Sequence, residues 1–507
     1  MPYVTQLLLV LASHAAIKTE IRRHIEQLWE RHGEALEQIV LSFLQAEISP
    51  ATMFDFEQQI AEQVRELARR LLENVLNQIE TDDPKKMPHD LEHQGGGYRR
   101  LNRKTRNAHV ATLFGTIELW RYPYRYWHRD VSEACIFPLE IELGLVHGAT
   151  PALAEAVARY MAQAGATQQA VLDRLRSQHG VFWGPKRLRE MTGELSAVFE
   201  KLTPEAQVVR LLDLLKKAQE SRGTRHPVLS VGRDGVTLCD YHFRFYEHAT
   251  VATVTVYDRA GQRLGTVYLS FAPEPGQEQM TARLTALLEE VLRRWEGPLP
   301  RLTYVTDAGE NETQYYRRVL RKMLHPRTGE RLQWNRIVDY YHAAQRIWAM
   351  AEALFGKENR AGRAWARRMC RLLKKPGGPY RLLHSAAALR KQPKRRKLSS
   401  ARAKEYRKAY QYIRRRTKFM QYYEYKQLNL PIGSGVTEAA CKTIVSQRLK
   451  LSGMRWMKQG AQTILNLRVV LLSGIWQPLY RTLLEAHNPR SLRTYGPFAN
   501  LAKRQAA

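Results

Sequence analysis

The sequence predicts an α+β protein of several domains, with a mixed α/β core, an α-helical insertion in that core and a mainly helical N-terminal region. Three observations support this prediction. The chain has 507 residues, which is more than one hydrophobic core accommodates. Apolar residues recur at three- and four-residue spacing from about Ile17 to Glu80. From His226 onward, short β-branched segments alternate with amphipathic ones.

The charge balance is strongly basic. Lys and Arg number 80 against 49 Asp and Glu, which gives a net charge of +31. Such a balance predicts a polyanionic partner, nucleic acid before a membrane surface.

Neither export nor membrane insertion is indicated. No segment reaches the roughly 18 consecutive apolar residues of a membrane span. The apolar stretch Gln6–Ala12 has no Lys or Arg before it, so we interpret it as the start of an amphipathic helix rather than a signal peptide. Four dispersed cysteines without a CxxC pair argue against a disulfide framework and a zinc finger. We therefore expect a cytoplasmic protein.

Three regions precede the predicted core: a helical N-terminal region (1–90), a linker with a β-rich segment (91–148) and a second helical region (149–225). In the middle region, "HVATLFGTIELWRYPYRYW" predicts one or two strands. In the third, two short helical segments meet at a turn near His179. The second segment carries Lys186, Arg187 and Arg189. The pair is either a helix-turn-helix whose second helix enters a major groove, or a plain helical hairpin.

Residues 226–350 form the predicted first part of the core. Three strand candidates come first, "PVLSVGRDGVTLC", "HFRFYEHATVATVTVYD" and "RLGTVYLSFA", the last two joined as a hairpin. The helix "EQMTARLTALLEEVLRRW" leads to a fourth strand in "RLTYVTDAG". A helix from about Thr313 to Met323 then leads to a fifth strand, in "WNRIVDYYHAAQRIW", which continues as a helix. This succession is typical of the ribonuclease H-like (RNase H-like) core, a five-stranded mixed sheet.

The rest of the chain is predicted to be a basic α-helical insertion domain (351–430), the second part of the core (431–485) and a C-terminal tail (486–507). Between Arg363 and Lys426 there are 22 Lys and Arg but only two acids. Within this region, "YQYIRRRTKFMQYYEY" mixes tyrosines with Arg414, Arg415 and Arg416. This stripe is either a helical face that contacts phosphates or bases, or the core and solvated sides of an ordinary helix.

Three carboxylates have the placement that phosphodiester chemistry needs. In an RNase H-like fold this chemistry uses two divalent ions about 3.5–4 Å apart, held by a few carboxylates. Asp234 lies in the middle of the first strand and Asp307 at the carboxyl end of the fourth, which is its neighbour in this fold. Glu438 lies in the first turn of a later helix, where the helix dipole favours its ionised form. Ser434 or Thr437 is available to cap that helix.

Each acid also has an ordinary structural interpretation. An Asp that ends a strand is commonly a turn former, and a Glu at a helix start commonly interacts with the dipole. Glu310 and Glu312, which follow Asp307 closely, are rival ligands. Around Glu438, we expect Lys442, Arg448 and Lys450 to bind phosphates.

Four blocks carry a family resemblance: "GRDGV", "TDAGE", "VDYYHAAQRIW" and the long "GSGVTEAACKTIVSQRLKLSGMRW". The chain resembles the DDE insertion-sequence transposases of the ISKra branch, from about Thr112 to Trp476. The resemblance implies that Asp234, Asp307 and Glu438 are the catalytic triad. It implies two Mg²⁺ ions, for which Mn²⁺ can substitute, as the cofactors that these acids bind.

The resemblance also bears on residues outside the triad. The 130 residues between Asp307 and Glu438 (438 − 307 − 1) imply the α-helical insertion. Asp339 and His342 resemble the auxiliary D-x-x-H element of related transposases, or are a helix N-cap and an exposed histidine. Arg455 belongs to the last block and is a further candidate for DNA binding. Thr437 departs from the family pattern, which has an apolar residue there.

The expected function is that of a bacterial, nucleoid-associated DNA transposase. Its partners would be double-stranded DNA, as terminal inverted repeats and target, and at least a second copy of the chain. Two alternatives remain open. A tyrosine recombinase would use a tyrosine between Tyr410 and Tyr425 as nucleophile, although no histidine lies near them. A repurposed RNase H-like protein would bind nucleic acid without cleaving it.

Overall fold

The computed structural model describes residues 14–126, 135–241, 246–392, 398–486 and 492–495. The chain divides into two compact units: the first lies within residues 1–161, 166–195 and 480–507, and the second, here called the core unit, comprises 162–165 and 196–479. Among the helices that are described, none has the length and apolar character to cross a membrane. The predicted amphipathic start at Gln6–Ala12 lies outside the described residues.

The protein is α+β, as predicted. The helices are α1 (His14–Gln45), α2 (Pro50–Asn77), α3 (Pro138–Glu142), α4 (Pro151–Ala162), α5 (Gln168–His179), α6 (Pro185–Glu220), α7 (Glu278–Arg294), α8 (Glu310–Arg318), α9 (Tyr340–Phe355), α10 (Arg360–Leu372), α11 (Gly378–Lys391), α12 (Ser400–Arg416), α13 (Tyr422–Gln427), α14 (Gly435–Ala440), α15 (Gln447–Leu449), α16 (Lys458–Leu472) and α17 (Trp476–Ala486). The strands are β1 (Asp90–His93), β2 (Gly96–Arg100), β3 (Thr105–Thr112), β4 (Gly115–Arg121), β5 (Tyr124–Tyr126), β6 (Val228–Cys239), β7 (Tyr246–Tyr257), β8 (Arg263–Phe271), β9 (Arg301–Thr306), β10 (Trp334–Val338) and β11 (Leu492–Tyr495).

The first unit joins long helices to short antiparallel strands. The predicted N-terminal helical pattern is divided into α1 and α2 because Ser49 and Thr52 form a capping box and Pro50 opens α2. The β-rich segment contains a β3–β4 hairpin and also β5, which is more than the one or two strands predicted. The expected C-terminal tail contributes β11, which pairs with β1.

In the predicted helix-turn-helix region, the second helix is much longer than expected. Its first helix, α5, ends at Gly180 in the left-handed conformation that glycine tolerates. Its second helix, α6, has 36 residues and contains Pro204. The prediction of two short helices is therefore wrong for the second one.

The core unit is built on a five-stranded mixed sheet, which confirms that part of the predicted fold class. The strand order is β10-β9-β6-β7-β8. The strands β6, β7 and β8 form an antiparallel meander. The strands β6, β9 and β10 run parallel to one another.

Hydrophobic clusters stabilise this sheet. One contains leucines of α7, such as Leu284 and Leu288, with Val231 of β6 and Val254 of β7. Another joins Ile337 of β10 to residues of α9, α10, α11 and α12. Each fully buried Leu, Ile or Val contributes about 1.5–3 kcal/mol. The insertion thus shares a core with the parallel edge of the sheet.

The helix after β9 starts earlier than predicted. The sequence pattern gave a helix over about Thr313–Met323, whereas α8 spans Glu310–Arg318 and is followed by a 3₁₀ turn. Gly309 is its N-cap. Both rival acids, Glu310 and Glu312, are therefore in its first turn.

Helix α14 packs closely on β6 at Gly232. The Thr437 Oγ1 and Thr253 Oγ1 atoms are hydrogen-bonded at 2.8 Å across this contact. A Cβ at position 232 would lie 1.9 Å from Thr437 Oγ1, so only glycine fits. This buried hydroxyl pair explains why Thr437 replaces the expected apolar residue.

Gly232→Ala should displace α14 and lower the free energy of unfolding by about 1–3 kcal/mol, because it overpacks this contact. Urea unfolding of the full chain measures the change. Gly235→Ala on the same strand is the control, since its Cβ would have no atom nearer than 3.4 Å. Equal destabilisation by both substitutions would contradict the close contact.

Candidate active site

Three aspartates lie in one row across the parallel strands. In the pairing of β6 with β9, each residue of β6 lies opposite the residue 73 positions later in the chain, as Val228 lies opposite Arg301 (301 − 228). Asp234 and Asp307 are also 73 positions apart (307 − 234). Trp334 of β10 pairs with Leu302, an offset of 32 (334 − 302), which also separates Asp339 from Asp307. The Asp339 N–H donates to the Thr306 carbonyl at 2.8 Å, which continues this pairing. The strand register therefore aligns Asp234, Asp307 and Asp339.

Glu438 lies in the first turn of α14, as predicted. The Ser434 Oγ donates to Glu438 Oε1 at 3.0 Å, and the glutamate remains about half exposed. Ser434 occupies the N-cap position, but neither it nor Thr437 caps a backbone N–H with its side chain. Three residues beyond Glu438, the Cys441 thiol lies 3.7 Å from Asp234 Oδ2. The helical turn that follows α14 therefore directs Cys441 at the carboxylate of Asp234 on β6.

Asp339 ties the sheet to the loop before α14. Its carboxylate is fully buried, caps α9 by accepting the His342 N–H at 2.7 Å, and accepts the Ser434 N–H. The same carboxylate lies 3.3 Å from His342 Nδ1. The helix N-cap interpretation of Asp339 is thus confirmed, but His342 is partly buried rather than on an exposed face.

The tightest ligand group differs from the predicted triad. One ligand atom each of Asp339, His342 and Glu438 lies within 4.8 Å of the other two. Elsewhere among the described residues, no three acidic, histidine or cysteine side chains meet this criterion. Asp234, Asp307 and Glu438 are therefore in one neighbourhood but are not drawn together to this distance.

The carboxylates of Asp234, Asp307 and Glu312 interact electrostatically. Burial raises the pKa of Asp234, and the nearby charge of Asp307 adds to the increase. Burial likewise raises the pKa of Glu312, with contributions from the charges of Asp307 and Asp234. Such shifts are expected where like charges share a poorly solvated site. A cation bound among these acids would relieve the repulsion.

The structure separates the two rival glutamates. Glu312 is buried, and a Cβ placed on Gly309 would lie 2.3 Å from Glu312 Oε2 and 3.3 Å from Asp307 Oδ1. The two carboxylates thus converge beside Gly309. Glu310 is exposed and accepts a hydrogen bond from Gln314. Of the two, Glu312 belongs to the acidic cluster.

Asp339 and His342 form a charge pair. Burial acts to raise the pKa of Asp339, but hydrogen bonds from His342 and Ser434 outweigh it, so the pKa is lowered. The hydrogen bond with Asp339 raises the pKa of His342, and the charges of Asp307 and Glu438 contribute. His342 Nδ1 also lies 3.7 Å from Glu438 Oε1. A protonated His342 would balance part of the local negative charge.

Two side chains of the insertion hold the turn after β9. The Tyr412 hydroxyl donates to the Asp307 carbonyl at 2.7 Å, and Arg416 donates to the Ala308 carbonyl at 3.2 Å. Ala308 has φ of +62°, a region that costs free energy for a residue with a Cβ. Tyr412 and Arg416 therefore help to maintain a strained turn that carries a candidate ligand. No pattern in the sequence predicts this role.

The tyrosine stripe is largely structural. Tyr422 donates to the Val338 carbonyl and Tyr425 to the Arg336 carbonyl, both on β10. Burial raises the pKa of Tyr412 and of Tyr425 to about 12, so both are neutral donors near neutral pH. These contacts disfavour Tyr412, Tyr422 and Tyr425 as nucleophiles.

A buried arginine supports the helix that carries Glu438. Residues Cys441–Ser446 form a π-helical segment, a feature that is frequent at functional sites. Arg468 of α16 donates to the carbonyls of Thr443 and Ile444 within it. Burial lowers the pKa of Arg468 to about 10. The only sequence signal was one charge in the apolar run "ILNLRVVLL".

The predicted phosphate-binding residues have different surroundings. Lys442, Lys450 and Arg455 are exposed, and Lys450 donates to Thr237 of β6. Arg448 is buried, with its guanidinium over the Trp456 ring, and burial lowers its pKa to about 10. Its placement does not favour direct phosphate contact, so we assign Arg448 a structural role. The position of Arg448 is set by its packing against Trp456.

The other residues predicted to bind DNA are likewise either exposed or hydrogen-bonded to the protein backbone. Arg414 and Arg415 are exposed at the end of α12, whereas Arg416 holds Ala308. In the first unit, Lys186 and Arg189 are exposed. Arg187 instead donates to the carbonyls of His109 and His147, and burial lowers its pKa. That arginine fixes loops of the first unit.

Trp456 closes the segment after α15. The backbone N–H of Trp456 donates to the Cys239 carbonyl, and its indole N–H donates to the Leu449 carbonyl. Its own carbonyl accepts the Tyr241 N–H, which extends the end of β6. Trp456 thus anchors the final motif block to the sheet.

No protein-family model matches the chain, and a search of curated proteins finds no match.

Asp339→Asn should lower the pKa of His342, because the charged hydrogen-bond partner that raises it is removed. The free energy of unfolding should fall by about 1–3 kcal/mol, since Asn offers one acceptor oxygen to several donors. NMR titration of the His342 ring and urea unfolding measure the two effects. Glu310→Gln is the control, and an unchanged His342 titration in Asp339→Asn would contradict the assigned pair.

Tyr412→Phe should lower the free energy of unfolding by about 0.5–1.5 kcal/mol, because it removes one hydrogen bond and keeps the ring. Tyr410→Phe on the same helix is the control, since the Tyr410 hydroxyl has no hydrogen-bond partner among the described residues. The comparison is made by urea unfolding. Equal stability of the two variants would exclude a contribution from the hydrogen bond to Asp307.

Proposed function

We propose that the protein is a DDE-type DNA transposase that cleaves DNA at the ends of an insertion sequence and joins the ends to target DNA. The observation that carries the proposal is the row of Asp234, Asp307 and Asp339 beside Glu438. Its setting supports the proposal, because the order β8-β7-β6-β9-β10, with only β7 antiparallel to the rest, is that of an RNase H-like sheet.

The acids suit divalent cations. Mg²⁺ and Mn²⁺ prefer carboxylate oxygens. Burial raises the pKa of Asp234 and Glu312, and the charge of Asp307 adds to both increases. Asp234, Asp307 and Glu438 would hold Mg²⁺, with Asp339 and His342 adjoining Glu438. Bound metal would supply an activated water and would stabilise the charge that develops on the phosphoryl group.

The chain's own residues position the reactants. Asp339 fixes the loop before Glu438, while Tyr412 and Arg416 fix the turn after Asp307. The exposed Lys442 and Lys450 flank the helix that carries Glu438 and would contact backbone phosphates. Fixed ligands and phosphate contacts would align an attacking oxygen with the scissile bond.

The proposed reaction has two steps. Water adds to phosphorus at the element end, and the bond to the 3′ oxygen breaks, which leaves a 3′-OH and a 5′-phosphate. That 3′-OH then attacks a phosphodiester of the target, so one P–O bond forms and one breaks. The transferred proton passes to solvent or to a basic group at the site.

The charge of the chain supports duplex DNA as the substrate. The net charge is +31, and 20 of this excess (22 − 2) lies between Arg363 and Lys426. Phosphate neutralisation supplies most sequence-independent binding to DNA. Acting on two ends favours more than one copy of the chain, so we expect at least a dimer on DNA.

The test uses purified protein and labelled duplexes that contain the gene's own flanks, with Mg²⁺ or Mn²⁺. Wild type should nick at a repeat boundary and join the end to a second duplex. Asp234→Asn and Asp307→Asn should lose on the order of 100-fold or more in rate, with DNA binding retained. Glu310→Gln, an exposed acid near the site, should remain active. Cleavage unaffected by either Asp variant would overturn the proposed site.

A non-catalytic DNA-binding protein is the second candidate. It is favoured by one observation: the ligand atoms of Asp234, Asp307 and Glu438 do not converge within 4.8 Å. Binding without cleavage under every metal condition would support it. Cleavage without joining would instead indicate a nuclease.

A further inference from the structure

A cationic pocket lies in the core unit on the exposed side of α12. The cavity has a volume of ≈ 440 Å³. Its lining includes Gln411 and Tyr412 but no acid. Six of its lining side chains are cationic: Arg346, Lys404, Arg407, Lys408, Arg415 and Arg416.

Among the described residues, no acid lines this pocket. None of the six cations forms an ion pair with an acid in the described part of the chain. Like charges brought together in one concave site repel one another, so the pocket favours an anionic occupant. The Nε–H of Arg346 is buried and has no acceptor among the described residues.

Two guanidiniums are held in place by one ring. Arg346 and Arg416 lie 5.0 Å and 4.2 Å from the centre of the Tyr412 ring. Arg416 is further fixed by its hydrogen bonds to Ala308 and Tyr412 carbonyls. Pre-positioned guanidiniums lose little freedom when they bind phosphate oxygens.

The cations form a stripe rather than a point. The cations at positions 404, 407, 408 and 415, with Gln411 between the last two, recur at the spacing of one helix face. At 1.5 Å per residue the stripe is about 16 Å long, whereas one DNA strand carries a phosphate about every 3.4 Å along the axis. Its length therefore fits several successive phosphates better than one free anion.

We infer that this pocket binds successive backbone phosphates of a DNA strand and guides that strand past Asp307. Tyr412 links the two places, because its ring lines the pocket and its hydroxyl donates to the Asp307 carbonyl. The inference rests on the proposed function only for the identity of the polyanion as DNA. Its chemistry, a row of unpaired cations beside a fixed ring, is independent of cleavage.

The test compares two double variants of the full chain. Arg407→Ala with Lys408→Ala removes two exposed pocket cations, and Arg367→Ala with Arg368→Ala removes two exposed cations of α10 outside the pocket. Affinity for a labelled duplex is measured against salt concentration, with a chelator present so that no cleavage occurs. Thermal unfolding checks that both variants are folded.

The pocket variant should bind at least 10-fold more weakly than wild type. Its slope of log affinity against log salt should be smaller by about 1.8, that is, 0.9 for each lost phosphate contact. The control should change the slope by less than half as much. Equal changes in the two variants, or none in either, would overturn the inference.

Two further arms separate the remaining outcomes. If the pocket variant loses affinity for inorganic phosphate but keeps the DNA affinity and salt slope of wild type, the pocket binds a single free anion and the inference fails. Cleavage by wild type is assayed separately with Mn²⁺. A pocket-specific slope without cleavage would support the inference while the proposed function fails; cleavage without a pocket-specific slope would do the reverse.

Discussion

The crowding of four carboxylates, two of them buried and two partly buried, is the constraint on which the candidate site depends. Strand register places Asp234, Asp307 and Asp339 in one row, and Glu312 adds a fourth acid from α8. Without the elements packed around the sheet, these carboxylates could rotate into solvent and move apart. The observed packing prevents this, because burial and hydrogen bonds fix each acid in place. The repulsion is thereby retained as a preference for cations.

The restraints come from outside the five strands. Asp339 is held through Ser434, Asp307 through its carbonyl by Tyr412, and the helix of Glu438 by Arg468. Each restraint uses a backbone group or a buried polar side chain, so each also satisfies a group that would otherwise be costly to bury. The insertion is therefore part of the framework of the site, and not only a surface for a partner.

Local pattern predicted the five strands of the core sheet well, but it missed β1 and β2 in the predicted linker and β11 in the predicted tail. It predicted the contacts between distant segments poorly. Alternation of β-branched residues placed Asp234 in mid-strand, and the short apolar run before Asp307 placed that residue at a strand end. The start of α8 was missed because Gly309 is a weak capping signal. Arg448 was expected to contact phosphates from its charge alone, but its position depends on Trp456. The hydrogen bond from Arg416 to Ala308 was not anticipated either. The support from Arg468 is equally non-local, since only the fold brings α16 to Thr443.

The hydrogen bond between Asp339 and Ser434 joins residues 95 positions apart. Closing so long a segment as flexible chain would cost conformational entropy and slow folding, because non-local contacts must form before they are stabilised. Helices α10 to α12 pack with α9 and β10 in one cluster and span most of that segment. Once they fold, the ends to be joined are already close. The insertion would then fold before Ser434 meets Asp339. A nascent chain would therefore bring Glu438 beside the aspartates only after the cationic helices had formed.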